Sequence, residues 1–222
     1  MVDDLAYAPS LASLSARADA LAEAGQADGR RRILGIVGPP GSGKSTLAQA
    51  LVAQVEGAVN VPMDGFHLAG SELVRLGRAD RKGAPDTFDA GGYVALLHRL
   101  RSGAAESDDA VYAPEFRREI EEPVAGAIRI GPAQPLVVTE GNYLLLDDAG
   151  WAPVRDLLDE VWFVDMDEQL RLTQLVERHV RFGKAPEEAY AWAHSTDQRN
   201  ADLVAATRGR ADLVVRLSAD PA

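Results

Sequence analysis

In Gly38-Pro39-Pro40-Gly41-Ser42-Gly43-Lys44-Ser45-Thr46 the first eight residues follow the spacing G-x-x-x-x-G-K-[ST]. That spacing suits one task, the holding of a polyphosphate. Gly38, Gly41 and Gly43 can take backbone angles that turn the chain back and let amides crowd an anion. Pro39 and Pro40 stiffen the loop but donate no N–H, so the cradle must come from Gly41, Ser42, Gly43, Lys44, Ser45 and Thr46. A helix starting near Gly43 would aim its positive end at the β-phosphate. Lys44 would then bridge β- and γ-oxygens, and the Ser45 hydroxyl would ligate magnesium. The expected ligands are ATP and Mg2+. GTP is the weaker expectation, because no N-K-x-D guanine-recognition element occurs.

Two carboxylates follow apolar runs. Asp64 comes directly after Val59–Met63, where it could take the proton of an attacking hydroxyl. The plain alternative is an Asx-turn in the pair Asp64-Gly65. Glu140 follows Pro135–Thr139, where an acid would hold the water shell of a magnesium ion; the alternative is an acidic loop residue. Placement after two separate core strands favours function for both. Cations gather between Asp167 and Lys184: Arg171, Arg178, His179, Arg181 and Lys184. Arg178 and Arg181 lie three apart, share a helix face and could close on one phosphate group. Arg171 and Lys184 read as ordinary solvated residues. His98, His194, Trp151, Trp162 and Trp192 read as packing or surface residues.

Elements must position these groups. Residues 3–25 read as a helix with Leu5, Leu11, Leu14, Ala18 and Leu21 on one face, ended by Gly25 and Gly29. The run Ile33–Val37 is apolar enough for a strand buried on both faces, and Ser45–Val52 continues as a helix after the glycine loop. Strands are expected at Val59–Met63, Val124–Ile130, Pro135–Thr139, Val161–Val164 and Ala211–Leu217. Helices are expected over 91–101, with Asp89 as N-cap, and through most of 167–206, with Asp167 as a cap. Strands alternating with helices imply an α/β fold, one parallel sheet with helices on both faces.

Composition limits the partners. The 222 residues are 46% hydrophobic and 26% charged, the balance of an ordinary globular chain, with no apolar run near the ~20 residues that span a bilayer. The acidic start Met1-Val2-Asp3-Asp4 lacks the basic n-region of a signal peptide, so the cytoplasm and no membrane partner are expected. A net charge of −11 argues against nucleic acid. The absence of cysteine excludes disulfides and thiolate chemistry. Only three lysines occur, Lys44, Lys82 and Lys184, so their location carries information.

The segments Met63-Asp64-Gly65-Phe66-His67, Arg81-Lys82-Gly83-Ala84-Pro85-Asp86-Thr87-Phe88-Asp89 and Thr139-Glu140-Gly141-Asn142-Tyr143-Leu144-Leu145 resemble one superfamily of P-loop kinases. It includes uridine kinase, phosphoribulokinase and bacterial type I pantothenate kinase. Among its branches the sequence most resembles nucleoside-kinase-like proteins labelled fructose (fructose-transport-system) kinases, from about Ile33 to Leu217. The resemblance implies a three-layer P-loop NTPase fold over residues 1–222, with an N-terminal helix (1–30), an acceptor-site insertion (65–130) and a helical lid (167–206). It implies an ATP-dependent phosphotransferase acting on a hydroxyl of a small molecule, a sugar such as fructose or a nucleoside, with pantothenate as an alternative.

Carried over by position, Asp64 would be the general base, Lys44 the γ-phosphate anchor, Glu140 the acid at the metal and Arg178 the lid arginine, with Arg181 beside it. His67, Arg81, Lys82, Tyr112 and Arg118 would face the acceptor. Arg118 falls on the arginine of a P-x-F-D-R-like pattern, whereas Arg117 stands where that pattern has aspartate. Asn200 also matches the branch, with no role implied. Relatives form dimers or tetramers, so a homodimer is an open expectation. The rival reading is an ATP-binding switch whose output is a partner contact; the polar and aromatic mixture within 65–130 favours an acceptor pocket over it.

Overall fold

The computed structural model describes residues 9–106, 109–148 and 150–216. Five parallel strands form the central sheet: β1 (Arg32–Val37), β2 (Ala58–Asn60), β5 (Leu136–Gly141), β6 (Glu160–Asp165) and β7 (Leu213–Arg216), in the order β2-β5-β1-β6-β7. The register sets Ile33 beside Val137 and Ile36 beside Trp162. All of β5 and nearly all of β1 are buried, as a sheet covered on both faces requires.

The period-two alternation of side chains divides the core. Leu34, Ile36 and Val138 pack against α1 (Leu11–Asp28) and α2 (Lys44–Gln54). Ile33, Val37 and Val137 face the opposite layer, with Tyr93 and Leu97 of α4 (Ala90–Glu106) and an aromatic group centred on Trp151. This is the expected α/β fold.

The first helix begins at Ser10, whose hydroxyl accepts the N–H of Ser13, and ends at Gly29 in the left-handed region (φ 69°). Gly25, expected as a terminator, is interior to α1. There a Cβ would come within 2.8 Å of the Pro135 carbonyl oxygen, so the glycine permits close helix–sheet approach. Leu14, Ala18 and Ala22 are the buried face; Leu11 is exposed, and the expected Leu5 lies outside the described residues.

The second strand is shorter than expected. β2 stops at Asn60, and one more ladder bond runs from the Val61 N–H to the Val138 carbonyl (2.8 Å). Pro62 then lacks an N–H, and Met63–Phe66 winds one 3-10 turn. Asp64 therefore sits on a turn beyond the sheet edge. Gly65 of that turn lies directly under the Pro114 carbonyl, with no room for a side chain.

Between β2 and β5 come α3 (Gly70–Arg75), α4, and an antiparallel hairpin of β3 (Val111–Arg117) and β4 (Glu122–Ile130). Asp89 caps α4, accepting the Gly92 N–H at 2.8 Å. β3 was not expected as a strand, because Pro114 and a bulge between Ala113 and Glu115 break its alternation. After β6, Asp167 accepts the Leu170 N–H and caps α5 (Glu168–Arg181); α6 (Pro186–Trp192), a π-turn (Ala193–Asp197) and α7 (Gln198–Ala205) follow. The buried face of α5 is Arg171 and Leu175, while Val180, read as an apolar position, is exposed. Among the described residues, no helix is long and apolar enough to cross a membrane.

Arg31 ties the layers together. It is 4% exposed and donates to the carbonyls of Gln134, Leu100 and Gly131 at 3.1, 3.0 and 2.7 Å. Arg31→Met would leave three buried acceptors unpaired, at a cost of about 3 kcal/mol. A fall in Tm of roughly 10 °C is expected by calorimetry for a chain of this size. An unchanged Tm would mean that water replaces the guanidinium.

Candidate active site

The glycine loop runs from the end of β1 into α2. Gly41 and Gly43 take φ of 84° and 86°, angles that side-chain-bearing residues rarely adopt. At Gly38 a Cβ would lie 2.6 Å from the Ser42 hydroxyl and 2.8 Å from the Val164 carbonyl oxygen. Ser42 thus faces inward: its N–H goes to the Pro39 carbonyl (3.1 Å), and its hydroxyl is buried without a partner among the described residues. This departs from the expectation that Ser42 serves the phosphate cradle. The N–H groups of the first turn of α2, from Lys44 onward, have no intrahelical acceptor and are left for a ligand.

Glu140 is the fifth residue of β5, in the strand rather than after it. The preceding Thr139 is held by the Tyr93 hydroxyl (2.7 Å) and by its own bond to the Val61 carbonyl (2.6 Å), which anchors this end of β5. The Ser45 hydroxyl donates to Glu140 Oε1 at 2.9 Å. Burial pushes the Glu140 carboxyl above its ordinary range, with the Lys44 charge pulling it back. Burial likewise pushes the Lys44 ammonium down, and Glu140 and Asp64 hold it up.

A hydroxyl beside a carboxylate is a hard-oxygen pair of the kind Mg2+ takes. Among the described residues, no group of three His, Cys, Asp or Glu could hold an ion by itself. A magnesium ion here would draw the rest of its shell from phosphate and water, so the donor set fits a metal that arrives with a nucleotide. When bound, it would neutralise charge on the transferring group.

Beside the loop lies a cavity of about 620 Å3, lined by Lys44, Ser45, Glu140, Asp64, Arg118 and Arg178, among others. The Asp64 carboxylate is 3.4 Å from a guanidinium nitrogen of Arg118. Arg118 is stacked near Phe116 and Phe182, while Arg117 pairs with Glu115 on the surface. His67 also lines the cavity, against Phe88 with ring centroids 3.9 Å apart. Burial pushes its imidazole down to about 4, so it is neutral near pH 7, and its Nδ1 has no partner among the described residues. A second cavity, about 650 Å3, opens along the glycine loop and is lined by Gly41, Gly43, Thr46, Arg178 and Arg181, among others.

Two expected acceptor residues lie elsewhere. Tyr112 is 52% exposed on β3, because the strand's alternation turns it away from Ala113 and the core. Arg81 is drawn off by Asp86 (2.8 Å) and is absent from the lining of either cavity. Its neighbour Lys82 does line the first cavity, with Asp64.

Other residues gain roles that sequence reasoning missed. Arg171, read as solvated, is 3% exposed and donates to the Pro40 carbonyl of the glycine loop (3.1 Å) and to Gln198 of α7 (2.5 Å). The available signal was its i,i+4 relation to the buried Leu175. Asn200 donates to the Gly83 carbonyl (3.3 Å), which also receives the Tyr143 hydroxyl, so α7 is tied to the loop that carries Lys82. Lys184, also read as solvated, lines the cavity.

Arg171→Leu is expected to loosen the loop, raising KM for ATP by about tenfold while KM for the second substrate stays put. Initial rates over an ATP series would show it. An unaltered KM would make Arg171 a packing residue only.

A scan against protein-family models found no match. Among curated proteins, the chain is 36% identical to the "ATP-dependent kinase-like protein notR'" of Aspergillus versicolor, over 66% of this chain and 88% of that one. It is 30% identical to the "putative uridine kinase C227.14" of Schizosaccharomyces pombe, over 84% and 83%. A solved structure, the "putative fructose transport system kinase" of Silicibacter sp. TM1040, superposes with a TM-score of 0.77. That likeness is at 35% identity and covers 88% of this chain and 97% of that one.

Proposed function

The chain belongs to the P-loop kinase superfamily that includes uridine kinase and type I pantothenate kinase, and from that premise we propose that it moves the γ-phosphoryl group of ATP to a hydroxyl of a small molecule. The observation that carries the reading is that Asp64, the loop residues Lys44 and Ser45, and the lid residue Arg178 all open into one cavity. In this reading a proton acceptor and a triphosphate site share the same space.

The acceptor oxygen would bond to the γ-phosphorus as the bond to the β,γ-bridging oxygen breaks. ADP leaves, and the hydroxyl proton passes to Asp64. Protein catalysis here is mainly positioning and charge neutralisation. Lys44 and Arg178 would supply the neutralisation, with Arg181 at the outer phosphate side. Ser45 and Glu140 would hold Mg2+. Arg178, brought over the cavity by α5, would also help exclude water that could otherwise hydrolyse ATP.

A sugar such as fructose, a nucleoside or pantothenate are the acceptors to try. Nothing in the site favours an ATP-switched regulator over a kinase. The test is ADP release with ATP and magnesium over a panel of such alcohols, with no-acceptor controls and product masses. One alcohol raising ADP well above background, with a phosphorylated product, supports the reading. Uniform background with ATP binding intact would overturn it for these acceptors.

A further inference from the structure

In a chain of net charge −11 the three lysines are few, and Lys44, Lys82 and Lys184 all line the cavity that holds Asp64. The triphosphate side does not account for all of them. Lys44, Arg118, Arg178 and Arg181 line the cavity along the glycine loop; Lys82 and Lys184 line only the cavity that holds Asp64. Two cations are thus left over on the acceptor side.

Their surroundings keep them there. The Lys82 ammonium donates to the Glu121 carbonyl (2.6 Å) and stands 5.0 Å from the centroid of the Phe116 ring. Arg118 approaches that same ring and reaches Asp64, so Lys82 is one aromatic ring away from the assigned base. The Lys184 ammonium lies 4.6 Å from the Trp192 ring centroid, held by a cation–π contact from the lid.

Each lysine has a carboxylate neighbour, Glu121 at 3.6 Å and Glu188 at 3.3 Å. The lysine side chains are 24% and 32% exposed, whereas both glutamates are 59% exposed. Both glutamates also line the cavity, but pairs this exposed are weak, so an anion entering the cavity can replace the glutamates without a large loss. The other cavity acid on this side, Asp197, is already engaged with His179 (2.7 Å). An ammonium recognises a carboxylate or phosphate far better than a neutral hydroxyl.

We propose that the acceptor is an anionic alcohol, whose carboxylate or phosphate group is bound between Lys82 and Lys184 while its hydroxyl lies at Asp64. This rests on the kinase reading and narrows it: a free sugar or nucleoside is the poorer member of each charged and neutral pair, and the product carries two anionic groups.

The test uses matched pairs in the ADP-release assay: fructose with fructose 1-phosphate and fructose 6-phosphate, uridine with uridine 5′-monophosphate, and pantothenol with pantothenate. In any pair that turns over, kcat/KM is expected to favour the charged member by about tenfold or more. In the double variant Lys82→Met, Lys184→Met that ratio should fall toward one, while Lys82→Arg, Lys184→Arg, which keeps both charges, should retain most of it. Unfolding curves of both double variants check that the fold is kept.

Equal or better turnover of the neutral member overturns the proposal and leaves the kinase reading standing. A charge preference that survives the methionine variant overturns the assignment to these two lysines. No transfer to any compound, with ATP binding intact, brings down the kinase reading and this proposal with it.

Discussion

Asp64→Asn is expected to cut phosphoryl transfer by about 10³-fold while leaving ATP binding nearly intact. The substitution is close to isosteric, and the amide oxygen can still accept the Arg118 contact now made at 3.4 Å. On the proposed mechanism, what it removes is the ability to take a proton from the attacking oxygen. The 3-10 turn Met63–Phe66 should survive, since its bonds are backbone ones, such as His67 N–H to the Asp64 carbonyl at 3.1 Å. Loss should therefore fall on kcat, with KM for ATP little changed. The check is single-turnover transfer beside a calorimetric titration of ATP, once an acceptor is in hand. Transfer within tenfold of the native rate would mean that Asp64 is only the Asx-turn residue its sequence allows. The neutral His67, in the same cavity with an unpartnered Nδ1, would then be the next base to test.

How much of this could be read from the sequence differs by residue, for physical reasons. The glycine loop was legible because it is contiguous: strand, turn and helix N-terminus are encoded in one run, Ile33–Val52. Glu140 and Asp64 were singled out by their positions directly after apolar strands, and Asp64 also by the rule that ligands meet the carboxyl ends of parallel strands. That rule gives the neighbourhood and not the element, so Asp64 was expected directly after a strand reaching Met63, although Pro62 ends the ladder before it. Arg171 and Lys184 were misread because charge alone suggests solvent. Arg171 instead spans from α5 to the Pro40 carbonyl, a contact between residues far apart in the chain that no local pattern encodes. Tyr112 and Arg81 were misassigned for the converse reason: segment resemblance fixes which stretch is near a site, but the strand's alternation and a competing Asp86 decide where each side chain goes.

Lys44→Ala should damage both ATP binding and transfer, and so differ in kind from the Asp64 variant. Lys44 is 8% exposed, and Glu140, Asp64, Arg118 and Arg178 all act on its charge. Deleting a charge-assisted contact of this sort is expected to weaken ATP binding by tenfold to about a hundredfold. The rate of the chemical step should fall by a further factor of about 10² to 10³, because on the proposed mechanism the ammonium answers charge that grows as the phosphoryl group moves.

The variant should also show a pH signature in stability. Burial already raises the Glu140 carboxyl above 4.5, and Lys44 is the largest influence opposing it. Without that lysine the folded state holds a proton that the unfolded chain releases once pH passes about 4.5. Stability present below that pH is then lost as pH rises through the higher folded value. The Tm deficit of Lys44→Ala relative to the native chain should therefore widen from pH 4.5 towards neutrality, as thermal unfolding at several pH values would show. A deficit constant with pH would mean that Glu140 takes its compensation from elsewhere, with Arg118 the first residue to remove.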